Sequence, residues 1–112
     1  MKIKEVIKLL DAQVLAGSDF LDDEVFSAFG CDLMSDVLAF VDNHTLLLTG
    51  LTNLQVVRTA EMMDMRVIVF VRGKKPDSEL LELAEKKDMV ILATELPMYP
   101  SCGILYSNGL GR

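Results

Sequence analysis

The clearest pattern along the chain lies in its second half, where short apolar runs alternate with amphipathic segments. Thr45–Thr49, Arg66–Val71 and Met89–Ala93 are mostly apolar and predict buried strands. Between them, Asn53–Asp64 and Asp77–Lys87 place apolar residues at helical spacing. Strands that are apolar throughout are typical of a parallel sheet covered by helices on both faces. The pattern therefore predicts an α/β fold, built as a three-layer domain with two right-handed βαβ units.

The first half of the chain predicts shorter elements. Lys2–Leu10 has the spacing of an amphipathic helix, and Val14–Ala16 is short enough for an edge strand. Val25–Phe29 is a further apolar run, which predicts a buried strand that ends at Gly30. A last helix is predicted around Ile104-Leu105, near the end of the sequence.

One more helix is predicted before the first clear strand. Ser35 has a side chain suited to cap a helix, and the helix would then run over Asp36–Val41. In that arrangement Leu38 and Val41 face the core.

Composition narrows the class of protein. The chain has 112 residues, of which 51% are hydrophobic, and this size fits a single domain over 1–112. The net charge of −6 disfavours a nucleic-acid partner, since phosphate binding needs clustered cations. No apolar run approaches the length of a membrane span, and the amino terminus lacks the apolar block of a signal peptide. We expect a cytoplasmic protein without a membrane partner.

The residues best suited to metal binding or nucleophilic catalysis are few and far apart. The sequence has two cysteines, Cys31 and Cys102, and one histidine, His44. They have neither the spacing nor the number that a zinc site or an iron–sulfur cluster needs in one chain. A catalytic Cys102 would need a base, and His44 precedes a strand whereas the turns follow the strands. We expect no metal, no cofactor and no catalytic site.

The turns after the predicted parallel strands are the best candidates for ligand binding. Ligands of open α/β sheets bind beyond the carboxyl ends of the strands, where helices begin and offer free N–H groups. The first turn, Thr49–Asn53, brings hydroxyls, a glycine and an amide to a helix start. Either it holds an anion, or Thr52 or Asn53 only caps the helix. The glycine patterns of standard nucleotide-binding loops are absent.

Two further turns follow. Arg72–Asp77 adds three cations at the same edge of the sheet, where they would meet a nucleotide phosphate, meet the carboxylates of a partner, or simply be solvated. The third turn, 94–103, is long for a connection between a strand and a helix, and it places Cys102 close to a helix start. The predicted ligand-binding residues are Thr49, Gly50, Thr52, Asn53, Arg72, Gly73 and Lys74.

Two stretches resemble known families. Val67–Glu85, with its apolar strand, Arg-Gly, proline and Glu-Leu-Leu helix, resembles the end of the amino-terminal domain of HPr kinase/phosphorylase. Thr49–Gln55 looks like the strand-to-helix turn of the related DRTGG domain. The resemblance covers about residues 2–107. The Asp-Arg pair of that domain's name is absent, because Gly50-Leu51 stands before Thr52.

The resemblance implies a three-layer fold like that kinase domain and a regulatory function. The implied partners are an adenine nucleotide or other anionic small molecule at a homodimer interface, and a metabolic enzyme under its control. The kinase's phosphate-binding loop belongs to a separate domain, so the resemblance does not imply a kinase. Two alternatives stay open. One is an accessory scaffold subunit of a hydrogenase-type redox complex that docks through Met62–Met65 or Met98–Pro100. The other is a small enzyme that uses Cys102, Glu95 or Asp77.

Overall fold

A computed structural model describes residues 1–42 and 44–111. Within these residues the chain forms one five-stranded sheet and five α-helices. The strands are β1 (Gln13–Ala16), β2 (Ser27–Gly30), β3 (Thr45–Thr49), β4 (Val67–Phe70) and β5 (Val90–Ala93). The helices are α1 (Ile3–Leu10), α2 (Met34–Phe40), α3 (Leu54–Met62), α4 (Ser78–Lys86) and α5 (Met98–Ser107). A short 3-10 helix spans Ser18–Phe20.

The strand order across the sheet is β1-β5-β4-β3-β2. Strands β2 to β5 are all parallel, and β1 pairs antiparallel with β5. The predicted parallel core of β3, β4 and β5 is confirmed, with β4 between the other two. Strand β2 adds one more parallel strand beside β3. Four strands therefore present their carboxyl ends at one edge of the sheet, which we call the carboxyl edge.

Helices cover both faces of the sheet, which confirms the α/β fold class. Residues that alternate along each strand point to opposite faces, so Leu47 and Ile68 pack with α2, α3 and α4. Leu46 and Val69 pack on the other side with α1 and α5. Because each layer is apolar on its inner side, strands β3, β4 and β5 are buried along their whole length.

Side-chain caps fix where two of the helices begin. Asn53 Oδ1 accepts a hydrogen bond of 3.3 Å from the backbone N–H of Val56 at the start of α3. Asp77 Oδ1 accepts one of 3.0 Å from the N–H of Leu80 at the start of α4. Each cap satisfies a backbone donor that the helix itself leaves free, and stabilises the helix by about 1 kcal/mol.

The prediction for the second strand is partly wrong. It spans Ser27–Gly30 rather than Val25–Phe29, so Gly30 lies within it, and its residues are half-buried or exposed in alternation. The reason is its place at the end of the strand order, where it pairs with β3 alone. An edge strand leaves one side and part of one face in solvent.

The prediction for the second helix also needs correction. The helix starts at Met34, with Leu33 in the cap position, so Ser35 is inside the helix and does not cap it. Met34 and Val37 are buried against the sheet, whereas Leu38 is exposed. Burial of these two apolar side chains outweighs the stabilisation of about 1 kcal/mol that a serine cap offers.

The third turn is shorter than predicted. Helix α5 begins at Met98 after the cap residue Pro97, so only 94–97 connect it to β5. Proline suits this position, since the start of a helix does not use its missing N–H. Cys102 consequently lies inside α5 and not at a helix start.

Candidate ligand-binding site

Two of the predicted turns meet at the carboxyl edge. Thr49–Asn53 follows β3 and Arg72–Asp77 follows β4, and these strands are parallel neighbours. The contact is close, because a Cβ atom built on Gly50 would lie 2.6 Å from Nη2 of Arg72. A Cβ at position 50 would force the exposed guanidinium to shift away from this point. The structure thus brings Gly50 and Arg72 together, although they come from separate turns.

The backbone of Arg72 is held in a sparsely populated conformation. Its φ is +60°, in the left-handed region that costs a residue with a side chain about 1 kcal/mol or more. Two hydrogen bonds to the β5 turn hold it there, from Arg72 N–H to the Leu96 carbonyl at 2.8 Å and from Gly73 N–H to the Thr94 carbonyl at 2.9 Å. This conformation directs the Arg72 side chain across the end of β3.

The positive charge of Arg72 has no acidic partner within the part of the chain that the structure describes. The ion pairs formed there use Lys4, Arg66 and Lys87. Lys74 is exposed in the same turn and is likewise unpaired among the described residues. A positioned but unpaired arginine at the edge where ligands bind is suited to an anionic group.

The structure adds Asp32, which the sequence analysis missed. Its Oδ1 accepts hydrogen bonds from the Thr49 hydroxyl at 2.9 Å and from the Gly50 N–H at 2.8 Å. Two donors predicted to hold a ligand anion therefore already hold a carboxylate of the chain. The same rule that singled out the other turns would have found Asp32, because it follows the parallel strand β2.

The remaining predicted residues differ in what they offer. Asn53 caps α3, as the alternative interpretation of this turn expected. The Thr52 hydroxyl makes no hydrogen bond to any residue that the structure describes, and is half-buried. Gly73 has a φ of +69°, and a Cβ there would lie 2.5 Å from a carboxylate oxygen of Glu95. The positive φ is what favours glycine here, since the exposed Glu95 side chain can move away from a Cβ.

A cavity of about 480 Å³ lies across the end of β3. Its walls are 30–32 after β2, 71–72 after β4, and 97–99 at the start of α5, so both Asp32 and Arg72 line it. An apolar groove of about 500 Å³ adjoins it, between β2 and α5. Gly30 and Tyr99 belong to both walls. The two spaces together give one site with a charged part and an apolar part.

A cavity of about 530 Å³ lies at the opposite, amino edge of the sheet. Its one arginine, Arg66, is already paired with Asp23 at 2.8 Å, and its Asp22 is paired with Lys4 at 2.9 Å. The hydrogen bond between the latter two lowers the pKa of Asp22 and raises the pKa of Lys4. The other charged groups in its wall, Glu24 and Asp64, are acidic and do not attract an anion. We place the site at the carboxyl edge, where ligands of open α/β sheets bind and where Arg72 is unpaired.

The arrangement does not favour chemistry at Cys102. Burial raises the pKa of its thiol, which disfavours the thiolate that a nucleophile needs. His44 precedes β3 and so lies at the amino edge, as expected, away from the turns. Among residues 1–42 and 44–111, no group of three or more His, Cys, Asp or Glu side chains is placed to hold a metal ion.

These features define a small α/β domain whose candidate ligand-binding site lies at the carboxyl ends of four parallel strands. The profile of the DRTGG domain matches residues 5–105, and the chain belongs to the DRTGG domain family. The resemblance found in the sequence is thereby confirmed for this family, whereas the relation to HPr kinase/phosphorylase stays a prediction.

A solved structure has the same fold. It is the CBS and DRTGG domains of the regulatory region of Clostridium perfringens pyrophosphatase, complexed with the activator diadenosine tetraphosphate. The TM-score is 0.75 at 12% identity, over 93% of this chain and 45% of that one. The chain thus spans less than half of that neighbour. No curated protein matches the chain in sequence.

Proposed function

We propose that this domain is a regulatory, ligand-sensing module that binds an adenine nucleotide at its carboxyl edge and controls a metabolic enzyme. The observation that supports it best is the unpaired guanidinium of Arg72, held beside Gly50 in a cavity at the end of parallel strands. The regulatory region of the pyrophosphatase neighbour was solved with an adenine nucleotide activator. That likeness suggests the ligand class, and the cavity supplies the physical argument.

In this proposal the two parts of the site bind two parts of the nucleotide. Arg72 binds the phosphates from the cavity wall, and Lys74, two residues further along the same turn, adds electrostatic attraction. Thr52 and Lys74 do not themselves line the cavity. The Thr49 and Gly50 donors do not contact the phosphates, because Asp32 already uses them. Tyr99 is 88% exposed in the wall that both spaces share, so its ring offers the adenine a stacking surface.

The proposed module binds its ligand without chemical change. Cys102 and His44, the pair that the sequence offers as nucleophile and base, are not brought together, since they belong to different edges of the sheet. None of the helices in the described residues combines the length and apolar character that a membrane span requires. We propose that the domain works in the cytoplasm, where nucleotide levels report on metabolism.

Replacing Arg72 tests the proposed function directly. Calorimetry with ATP, ADP and diadenosine tetraphosphate should detect binding to the unaltered protein. Arg72→Ala should weaken it about tenfold or more, because a hydrogen-bonded charge pair is lost from the site. The melting temperature of the free protein should hardly change, since an exposed cation contributes only about 0–1 kcal/mol to stability.

Arg58→Ala is the matched control for this experiment. Arg58 is exposed on α3, outside the cavity, and its loss changes the net charge by the same amount. Equal weakening by both variants would show a general charge effect instead of a site. If the unaltered protein binds no nucleotide at millimolar concentration, the sensing function is wrong and the scaffold function becomes the better one.

The surface offers the scaffold function limited support. Of the predicted docking stretch Met62–Met65, Met62 is exposed, Met63 is half-buried and Met65 is buried. The Met98–Pro100 stretch belongs to the proposed nucleotide site through Tyr99. A docking surface formed by these methionines would therefore be small.

We also propose that the domain forms a homodimer through the edge of β2. This strand pairs only with β3 among the strands of the described chain. The segments beside it are free of charge, since no charged residue stands between Glu24 and Asp32 or between Glu95 and Arg112. Two copies with a net charge of −6 repel each other, so a charge-free surface is where they can approach. The nucleotide site would then lie near the interface.

A charge at the β2 edge should dissociate this dimer. Phe26 is 61% exposed immediately before β2, and Phe26→Glu would place a carboxylate at the edge through which each copy pairs. Light scattering should give twice the 12.4 kDa chain mass for the unaltered protein and the single mass for the variant. Met62→Glu, at a side chain 73% exposed on α3, should stay dimeric. A monomeric unaltered protein at micromolar concentration would contradict the proposal.

A further inference from the structure

The cavity at the carboxyl edge contains two opposite charges that do not neutralise each other. Asp32 and Arg72 both line it. Neither takes part in an ion pair within 4.0 Å among the described residues, which place their ion pairs elsewhere. The fold nevertheless fixes the backbone of Arg72 and the side chain of Asp32. Arg72 has its left-handed backbone and the contact with Gly50, and Asp32 has two hydrogen bonds.

The hydrogen bonds of Asp32 are all at one oxygen. Oδ1 accepts from both Thr49 and Gly50, and Oδ2 has no partner among the residues that the structure describes. An ionised carboxylate can only accept hydrogen bonds. Asp32 is exposed, so water hydrates Oδ2 in the free protein, and a donor group of the ligand can take the place of that water. The negative charge of Asp32 repels phosphate groups from this side of the cavity.

Arg72 imposes the complementary requirement. A guanidinium can only donate hydrogen bonds, and it prefers a carboxylate or a phosphate. The ligand must consequently present an anionic group to Arg72 and a hydroxyl or other donor to Asp32. A molecule that is anionic throughout, such as a bare polyphosphate, meets only one of the two requirements.

The position of Asp32 assigns the donor to a sugar. Asp32 is two residues beyond Gly30, where the charged cavity joins the apolar groove. In a nucleotide the ribose lies between the phosphate and the base. With the phosphates in the charged cavity and the base in the apolar groove, the ribose lies where the two spaces join. We infer that Asp32 selects ribonucleotides by accepting a hydrogen bond from a ribose hydroxyl, as acidic side chains do in dinucleotide-binding folds. This inference rests on the proposed nucleotide site.

The test compares ADP with its 2′-deoxy and 3′-deoxy analogues by calorimetry on the full chain. The unaltered protein should bind ADP about tenfold or more tightly than the analogue that lacks the contacted hydroxyl, because Asp32 then stays without its donor. Asp32→Asn should remove this preference. Asparagine keeps an oxygen for Thr49 and Gly50 but replaces the other oxygen by an NH₂ group, which cannot accept.

Asp88→Asn is the matched control. Asp88 is exposed between α4 and β5, at the amino edge, and its φ of +55° is one that asparagine tolerates. This variant makes the same charge change and should keep the preference for ADP. The comparison on the unaltered protein needs no variant, so a folding defect of Asp32→Asn would not affect it.

The outcomes separate the inference from the proposed function. Equal affinity for ADP and both analogues, together with weaker binding of all three by Arg72→Ala, would overturn the role of Asp32 and leave the nucleotide site intact. Preference for ADP that survives in Asp32→Asn would overturn it as well. Absence of any binding would remove the proposed function and this inference with it.

Discussion

Phe70→Ala should lower the free energy of unfolding by about 3–5 kcal/mol, the range seen when a buried aromatic side chain is truncated. Phe70 is 0% exposed in β4, between β3 and β5. Its side chain packs with α3 and α4 through residues such as Val57 and Leu80. Since domains of this size are stable by about 5–15 kcal/mol, the loss is a large share of the total. Urea denaturation measures it.

Phe40→Ala is the control that separates burial from the chemistry of the substitution. Phe40 is 71% exposed at the end of α2, so its ring buries little apolar surface on folding, and removing the ring loses little of that stabilisation. We expect a change within about 0.5 kcal/mol, as for surface substitutions in general. If the two variants lose similar stability, the sheet is not the main core of the domain.

The order of strands and helices could be predicted because the elements in the second half are long and strongly patterned. Unbroken apolar runs such as Val67–Val71 occur where a strand is covered on both faces, and the helices between them have a clear polar side. Parallel pairing follows, since helical crossovers connect parallel neighbours. The likeness in sequence to the DRTGG domain led to the same fold independently.

The errors in the first half of the chain arise because the structure there depends on contacts with segments that are distant in sequence. Val25–Phe29 looks like a buried strand because its residues are apolar, but burial depends on strand order, which places β2 at the edge. Ser35 is a good cap residue, yet the helix begins where Met34 can be buried on the sheet. In both cases packing between distant segments decides the structure, and a short window of sequence does not contain it.

The candidate site, like the fold, was predictable only in part. The turns containing Gly50 and Arg72 were found because parallel neighbours end at the same edge of the sheet. Asp32 was missed because it acts on Thr49, seventeen positions along the chain, through a pairing of β2 with β3 that the pattern did not reveal. Without Asp32, the sequence pattern assigns Thr49 and Gly50 to a ligand, whereas the donors of both residues bond to the Asp32 carboxylate in the structure.

Gly17→Ala should be among the most destabilising single substitutions in the chain. The φ of Gly17 is +81°, and a Cβ there would lie 2.5 Å from the Met89 carbonyl oxygen and 2.8 Å from Cα of Val90. Both are backbone atoms at the start of β5, which a rotamer change cannot move. The left-handed backbone costs about 1–3 kcal/mol and the overpacking about as much again. Thermal and urea unfolding should show the combined loss.

Two other glycines separate the causes of that loss. Gly109 has a φ of +103° with nothing within 4 Å of a built Cβ, so Gly109→Ala should cost the backbone strain alone. Gly103 lies in α5 with the same open space and no positive φ, and Gly103→Ala should stabilise the protein by about 0.5–1 kcal/mol, as alanine does within a helix. Gly17→Ala must lose clearly more than Gly109→Ala. Equal losses would mean that β1 and β5 separate easily at this point, and that the close contact of Gly17 with β5 contributes nothing to stability.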